Sequence, residues 1–149
     1  MVGEAIVIVF PVLIPLQKLE LFDEVFRGPL DELDPPAFTP TTKSEDGHDE
    51  PMHIEEFKMR FGEEPIHLAL DLYRAGRTVY RQRGLALLDT KFEFGRDMNG
   101  ELCLCDEVLT PDSSRIVRFE DLVEAQRNPK KKPPSFDKQP LRDYVEKVL

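Results

Sequence analysis

One stretch constrains the fold of this chain more than any other. It runs from Gly84 to Arg115 and reads GLALLDTKFEFGRDMNGELCLCDEVLTPDSSR. Two apolar runs flank the pair Asn99-Gly100, and this dipeptide is a strong hairpin signal because a two-residue turn needs positive φ at both positions. We therefore predict an antiparallel β-hairpin at the centre of the fold.

Charged side chains occupy every second position of the first predicted strand, at Asp89, Lys91 and Glu93. Side chains of a strand alternate between its faces, so these three share one face. If Asn99 and Gly100 alone form the loop, Glu93 lies directly opposite Asp106, with Cβ atoms about 4.5–5.5 Å apart. Two carboxylates that close need a cation between them. Either Lys91 or a divalent ion such as Mg²⁺, which prefers oxygen ligands, would serve.

Two alternatives stay open for this hairpin. A four-residue loop from Asp97 to Gly100 would place Glu93 opposite Leu104 instead. The charged face would also be explained as an ordinary solvated surface, since antiparallel sheets commonly expose one side.

Composition excludes some classes of protein. A net charge of −9 is not the basic field of a nucleic-acid-binding protein. A length of 149 residues, with 40% apolar and 33% charged residues, indicates one soluble domain with a sizeable core. The two cysteines, Cys103 and Cys105, are predicted to be reduced and packed in that core, which fits a cytoplasmic protein.

Residues 1–30 form an apolar N-terminal segment that differs from the rest of the chain. Its run AIVIVFPVLIPL is too short to span a bilayer and is interrupted by Pro11 and Pro15. It also lacks the basic region of a signal peptide. We therefore predict a short buried strand here and no association with a membrane.

The remaining segments are predicted from their helix and loop signals. Leu30 to Pro51 is rich in proline and acidic residues and is predicted to be a surface loop. His53 to Phe61 is predicted to be a short helix. A longer, broad-faced and well buried helix is predicted from Glu63 to Gly84. After the hairpin, a loop is expected to lead into a helix of sequence VRFEDLVEAQ.

Four blocks of the sequence resemble the SAICAR synthetase family (phosphoribosylaminoimidazole-succinocarboxamide synthase), and they occur in the family's order. The blocks are FTPTTKSEDGHDEPM (Phe38 to Met52), LLDTKFEFG (Leu87 to Gly95), DEVLTPDSSR (Asp106 to Arg115) and SFDKQPLRDYVE (Ser135 to Glu146). Four ordered blocks are a specific signal, whereas the DxKxE pattern alone would not be. The resemblance implies an α+β fold over residues 31–149. It would be the larger lobe of a two-lobed ATP-binding enzyme, with a central antiparallel hairpin and flanking helices.

The resemblance also implies an activity. The family contains ATP-dependent carbon–nitrogen ligases of de novo purine biosynthesis. They join L-aspartate to CAIR, a carboxylated aminoimidazole ribonucleotide, to give SAICAR. The implied cofactors are ATP and Mg²⁺, and the implied partners are the small-molecule substrates CAIR and L-aspartate.

Residue roles follow from the same match. Glu93 and Asp106 correspond to metal-binding carboxylates, and Lys91 to a catalytic lysine that also contacts the nucleotide. Asp89 is expected to order Lys91 or the turn. The other implied site residues are Asp49 (catalytic), Lys43, Asp137 and Lys138 (cofactor-binding), and Ser113, Ser114 and Arg115 (substrate phosphate).

The chain departs from the family pattern at its N-terminal end. The family covers ATP with a first lobe that carries a glycine-rich turn and a lysine. Before Lys43 this chain has one lysine, Lys18, and two glycines, Gly3 and Gly28. We therefore expect the middle and C-terminal part of the enzyme, as a truncated gene product, a fragment, or a reduced form that recruits a second chain in a homo-oligomer or a partner complex. The alternative to a ligase is an inactive fragment that acts only as a nucleotide-binding or protein-interaction module.

Overall fold

A computed structural model describes residues 5–10, 36–42, 50–128, 133–136 and 144. Within these residues the chain folds into a six-stranded antiparallel sheet and three helices, which confirms the predicted α+β class. The strands are β1 (Ala5–Phe10), β2 (Ala37–Thr42), β3 (Glu50–Pro51), β4 (Leu85–Arg96), β5 (Leu102–Cys105) and β6 (Ser114–Arg118). The helices are α1 (Ile54–Phe61), α2 (Glu64–Arg81) and α3 (Phe119–Arg127).

Among the described strands β4 is the longest, and it pairs with three other strands. The order of strands is β3-β2-β1-β4-β5, and β6 also pairs with β4. One edge of β4 pairs with β1, while the other edge pairs first with β6 and then with β5. The predicted hairpin is therefore present, as β4 and β5.

The predicted N-terminal strand is confirmed, and it lies inside the sheet. Ala5–Phe10 pairs with β2 on one side and with β4 on the other. In the sequence, Pro11 comes directly after the last residue of this strand. The other residues of the N-terminal segment lie outside the described part, so a boundary at residue 30 stays a prediction.

The predicted loop from residue 30 to residue 51 is wrong where the structure describes it, because β2 and β3 lie in this region. Proline at position 40 is tolerated because of its place in the sheet. The N–H of Met52 donates to the Pro40 carbonyl at 2.9 Å, on the side away from β1. The N–H and C=O of one strand residue point to the same side, so the donor that proline lacks is not one that the β1 ladder needs.

Helix α1 matches its prediction closely. Its first turn is capped by His53, whose Nδ1 accepts the N–H of Glu55 at 3.3 Å. Gly62, with φ of 81°, ends it, as glycine commonly does. The fully buried ring of Phe57 anchors the helix against Phe38, at 5.3 Å between ring centroids.

Helix α2 covers one face of the sheet. Its buried row includes Ala69 and Tyr73, and the Tyr73 hydroxyl donates to the carbonyl of Leu87 at 2.9 Å. The prediction that the buried face is broad is wrong. The row of side chains next to the buried one includes Leu68 and Val79, which are 36% and 48% exposed. One face of the helix packs on the core, as expected for a surface helix.

The loop between β4 and β5 differs from both predictions. The N–H of Asp97 donates to the carbonyl of Glu101 at 3.0 Å, which leaves three residues in the loop. Gly100 takes a φ of 83° at its end, the geometry of a turn followed by a glycine bulge. The Asp97 carboxylate accepts the backbone N–H groups of Asn99 at 2.8 Å and Glu101 at 2.9 Å, and these bonds favour the three-residue loop.

The loop length changes the register by one residue. Glu93 lies opposite Cys105, and Phe94 lies opposite Leu104. The predicted pairs of Glu93 with Asp106 and of Glu93 with Leu104 are therefore both wrong. A one-residue change reverses which face each partner presents, so this small difference matters for the site.

The predicted helix from Val117 begins later in the structure. Val117 belongs to β6, where it lies opposite Ala86, and α3 starts at Phe119. The buried Ile116 and Val117 contribute to the sheet instead of to a helix face. The sequence VRFEDLVEAQ therefore contains the end of a strand and then a helix.

We predict that Val7→Pro strongly destabilises the protein. A proline in a strand paired on both sides removes one hydrogen bond and leaves one carbonyl without its donor, at a combined cost of about 2 kcal/mol or more. Urea denaturation followed by circular dichroism measures the loss. Met98→Pro is the matched control, because position 98 is the first corner of the loop, where proline is favoured. Equal stability of the two variants would contradict the central position of β1.

We predict an acid-range contribution from Asp97. Its pKa lies below the ordinary value of 3.8, chiefly because the carboxylate accepts the backbone N–H of Glu101. A lowered pKa in the folded state stabilises the fold above the unfolded value, and this stabilisation is lost as pH falls through the folded value. Asp97→Asn should therefore be less stable than the wild type at pH 6, and the difference should shrink as pH falls below 3.8.

Urea denaturation at a series of pH values measures this difference. Glu101→Gln is the control, because it removes a carboxylate from the same loop that accepts neither of the two backbone bonds. A wild-type advantage over Asp97→Asn that stays constant down to pH 2 would rule out the proposed linkage.

Candidate functional site

The charged face predicted for β4 is present, and it is partly buried. Lys91 Nζ lies 2.6 Å from Glu93 Oε1, and the two side chains are 36% and 7% exposed. Burial of an isolated carboxylate is costly, so the ammonium group of Lys91 offsets the charge of Glu93. The other face of the strand carries Thr90, Phe92 and Phe94 into the interior.

An irregularity in β4 sets which residues reach the charged face. Leu87 and Phe92 belong to the same buried core, although an odd spacing should place them on opposite faces. The β4–β6 register shifts between Leu87 and Asp89, which inserts Leu88 as an extra residue. This bulge reverses the alternation, so Asp89 shares a face with Lys91 and Glu93 while Leu87 packs inside.

Asp89 pairs with Arg115, and its expected role in ordering Lys91 or the turn stays a prediction. The two residues lie opposite each other on β4 and β6, and both Nε and Nη2 of the guanidinium contact Asp89 Oδ2. Asp89 is 8% exposed, whereas the Arg115 side chain is 41% exposed. The pair holds a cationic group at the surface beside the charged face. Its role toward substrate phosphate stays a prediction.

The two predicted serines lie at different depths. Ser114 is buried, and its hydroxyl is 2.8 Å from that of the fully buried Thr90. Ser113 is half-buried, and its hydroxyl is 3.3 Å from the hydroxyl of Thr110. The carbonyl of Ser113 accepts the N–H of Lys91 at 2.9 Å, which ties this loop to β4. Substrate roles for Ser113 and Ser114 stay predictions.

Asp106 is exposed and directly follows the last residue of β5. Its φ of 59° is left-handed, a conformation that aspartate adopts more readily than most residues. Because Cys105 takes the place opposite Glu93, the predicted face-to-face carboxylate pair is replaced by two carboxylates offset by one residue. Their role as metal ligands stays a prediction.

The donor set can be compared with the needs of a cation. In the described part of the chain, no group of three or more His, Cys, Asp or Glu side chains could hold a metal ion. Mg²⁺, however, is commonly held by one or two carboxylates together with phosphate oxygens and water. A cation that arrives with a phosphate needs only one or two protein carboxylates, and Glu93 and Asp106 as those ligands stay a prediction.

Four predicted site residues, Lys43, Asp49, Asp137 and Lys138, lie outside the described residues, and their roles stay predictions. Cys103 and Cys105 are free thiols of intermediate burial. Over the described ranges, none of the helices is both long and apolar enough to cross a membrane.

Solved SAICAR synthetases share this fold. The structure entitled SAICAR synthetase (Type-2) in complex with ADP matches with a TM-score of 0.67 and 26% identity, over 93% of this chain and 55% of that one. The structure of SAICAR-synthase from Saccharomyces cerevisiae complexed with SAICAR matches with a TM-score of 0.67 and 31% identity, over 95% of this chain and 49% of that one.

The sequence identifies the family. The family model for SAICAR synthetase matches residues 28–149, and this chain belongs to the SAICAR synthetase family. The phosphoribosylaminoimidazole-succinocarboxamide synthase of Thermobifida fusca (strain YX) is 48% identical over 118 residues, which are 76% of this chain and 37% of that protein. The enzyme of Maridesulfovibrio salexigens is 43% identical over 121 residues, with 78% and 38% covered. The resemblance of the four blocks is thus confirmed, and the chain spans less than two fifths of these relatives.

We predict that Asp89 and Arg115 are energetically coupled. Asp89→Asn or Arg115→Met alone should each cost about 1–2 kcal/mol of stability, because each leaves one partner of a partly buried pair uncompensated. The double variant should lose less than the sum, by about 1 kcal/mol, in urea denaturation.

The pair Asp71 and Arg74 on α2 provides the control. Its atoms are 3.1 Å apart, but its side chains are 73% and 47% exposed. The equivalent cycle with Asp71→Asn and Arg74→Met should show coupling below about 0.5 kcal/mol. Strict additivity at Asp89 and Arg115 would mean that the contact does not stabilise the fold.

Proposed function

We propose that this chain binds nucleotide and substrate for the ATP-dependent ligation of L-aspartate to CAIR, which gives SAICAR in de novo purine biosynthesis. The observation that supports it best is family membership together with the DTKFEFG block, which sets Lys91 and Glu93 in contact on β4. The free thiols are consistent with the cytoplasm, where we propose that the reaction takes place.

The reaction must bring several anions together. ATP, the CAIR carboxylate and L-aspartate repel one another, so positive charge and positioning supply much of the rate. Lys91 fits this need because its ammonium group is in contact with Glu93 and yet remains partly open to solvent. We propose that it offsets phosphate or carboxylate charge as the reactants approach.

The carboxylates fit Mg²⁺ as ATP delivers it. We propose that Glu93 and Asp106 hold the ion together with phosphate oxygens; when bound, it offsets phosphate charge and polarises the group that is attacked. Charge neutralisation of Glu93 by the ion would release the Lys91 ammonium toward the substrates. The salt bridge between Lys91 and Glu93 therefore serves as the resting arrangement of the site.

The remaining assignments follow the family match. We propose that Arg115, oriented by Asp89, contacts the substrate phosphate together with Ser113 and Ser114. A relative of this chain has been solved with ADP and another with SAICAR, which supports a nucleotide and the imidazole nucleotide as ligands. Asp49 as a catalytic residue and Lys43, Asp137 and Lys138 as nucleotide contacts complete the proposal.

A binding experiment and an assay test the proposal on the 149-residue chain. Calorimetric titration with ADP in the presence of Mg²⁺ should show binding that Glu93→Gln or Asp106→Asn weakens at least about tenfold, because each removes one anionic ligand. In the assay with ATP, Mg²⁺, CAIR and L-aspartate, Lys91→Ala should lower kcat by about 100-fold or more.

Asp71→Asn is the matched control, because it removes an exposed carboxylate on α2 at a distance along the chain from β4. It should change neither binding nor turnover. A wild-type chain that binds no ADP would overturn the proposal. Binding without any product would favour the nucleotide-binding module, and loss of folding in Glu93→Gln would identify Glu93 as a structural residue.

A further inference from the structure

Gly76 lies in the interior of α2, where glycine lowers helix stability and therefore needs a packing reason. The structure supplies one. A Cβ atom at position 76 would lie 2.7 Å and 2.8 Å from the two methyl carbons of Leu109, and 3.3 Å from its Cγ. The helix and the segment between β5 and β6 thus approach each other so closely that a side chain at position 76 would require the side chain of Leu109 to move.

Leu109 is itself held in an unusual conformation. Its φ of 57° is left-handed, which a bulky residue rarely adopts. One turn after Gly76, the hydroxyl of Tyr80 donates to the carbonyl of Leu109 at 2.6 Å. The side chain of Leu109 also packs against the core. The backbone and the side chain of Leu109 are therefore both held by α2 and the core, which stabilise a conformation that costs free energy on its own.

The segment held in this way carries proposed site residues. Three positions before Leu109, Asp106 also has a left-handed φ, of 59°. On the other side, the Thr110 hydroxyl donates to the Glu107 carboxylate at 2.9 Å, and Ser113 accepts the N–H of Lys91 at 2.9 Å. The loop from residue 106 to residue 113 thus begins at the proposed metal ligand, passes through Leu109 and is hydrogen-bonded to β4 at its last residue, before β6 begins.

We propose that Gly76 is a positioning residue for this loop. Gly76, Tyr80 and Leu109 form a contact, here called the Leu109 lock, that sets where the loop presents Asp106 and Ser113. The inference deepens the proposed function and rests on it for its catalytic meaning. The lock itself is a property of the fold, so it is tested separately from metal binding.

The first test measures whether the effect of Gly76→Ala on Tm changes sign when the side chain of Leu109 is shortened. Gly76→Ala should lower the Tm of the wild type, because the new methyl group meets Leu109. In a Leu109→Ala background the three atoms nearest to that methyl group are gone, so the same Gly76→Ala change should raise Tm through its higher helix propensity. A rise in both backgrounds, or a fall in both, would overturn the lock.

The second test follows the loop directly. Hydrogen–deuterium exchange of the backbone amides of residues 106–113 should be faster in Gly76→Ala than in the wild type. Leu68→Gly is the control, since it weakens α2 at an exposed site two turns before Gly76 and should leave exchange in the loop unchanged. Equal exchange in Gly76→Ala and the wild type would show that position 76 does not order the loop.

The third test measures positioning of the site, with Mn²⁺ as the probe in an electron paramagnetic resonance titration. Gly76→Ala should raise the Mn²⁺ dissociation constant about fivefold in the wild type, but less than about twofold in the Leu109→Ala background, because the clash is then absent. Leu68→Gly should leave the constant unchanged. A wild type that binds no Mn²⁺ would overturn the proposed metal site and leave the lock to the first two tests. Binding that Gly76→Ala does not weaken would overturn the positioning role.

Discussion

The backbone hydrogen bonds of β4 are the constraint on which the rest of the structure depends. From Thr90 to Phe94 this strand pairs along one edge with β1 and along the other with β6 and β5, so the backbone groups of this segment find their partners inside the sheet. Because neighbouring strands occupy both edges of this segment, its side chains point alternately to the two faces of the sheet. One direction takes Phe92 and Phe94 into the core under α2, and the other presents Lys91 and Glu93. The position of the candidate site therefore follows from the pairing of β4 with its neighbouring strands.

Prediction from sequence succeeded where the signal was local. The sequence from His53 to Phe61 predicts helix α1, and the alternation of Asp89, Lys91 and Glu93 places them on one face. Family membership followed from blocks of sequence whose order needs no knowledge of tertiary structure. In each case the relevant information lies within a few residues of the feature.

Prediction failed where long-range pairing or a side chain decided the outcome. The Asn-Gly pair favours a two-residue turn, but the Asp97 carboxylate accepts two backbone N–H groups and stabilises a three-residue loop. Strand β6 went unrecognised because its partner is the first half of β4, about thirty residues away in sequence. Without β6, the contact between Asp89 and Arg115 and the bulge at Leu88 could not be foreseen. The close approach at Gly76 likewise becomes visible only once the fold is known.

Strand β1 lies outside the sequence match to the family, although it belongs to the same sheet as strands inside the match. It precedes residue 28, where the match to the family begins, yet it lies between β2 and β4, which are both inside the match. Main-chain hydrogen bonds do not depend on which side chain a residue carries. A position in the middle of a sheet can therefore be occupied by a segment without family-specific sequence. Here the strand that lies outside the family match also connects, through its hydrogen bonds, two strands that lie inside it.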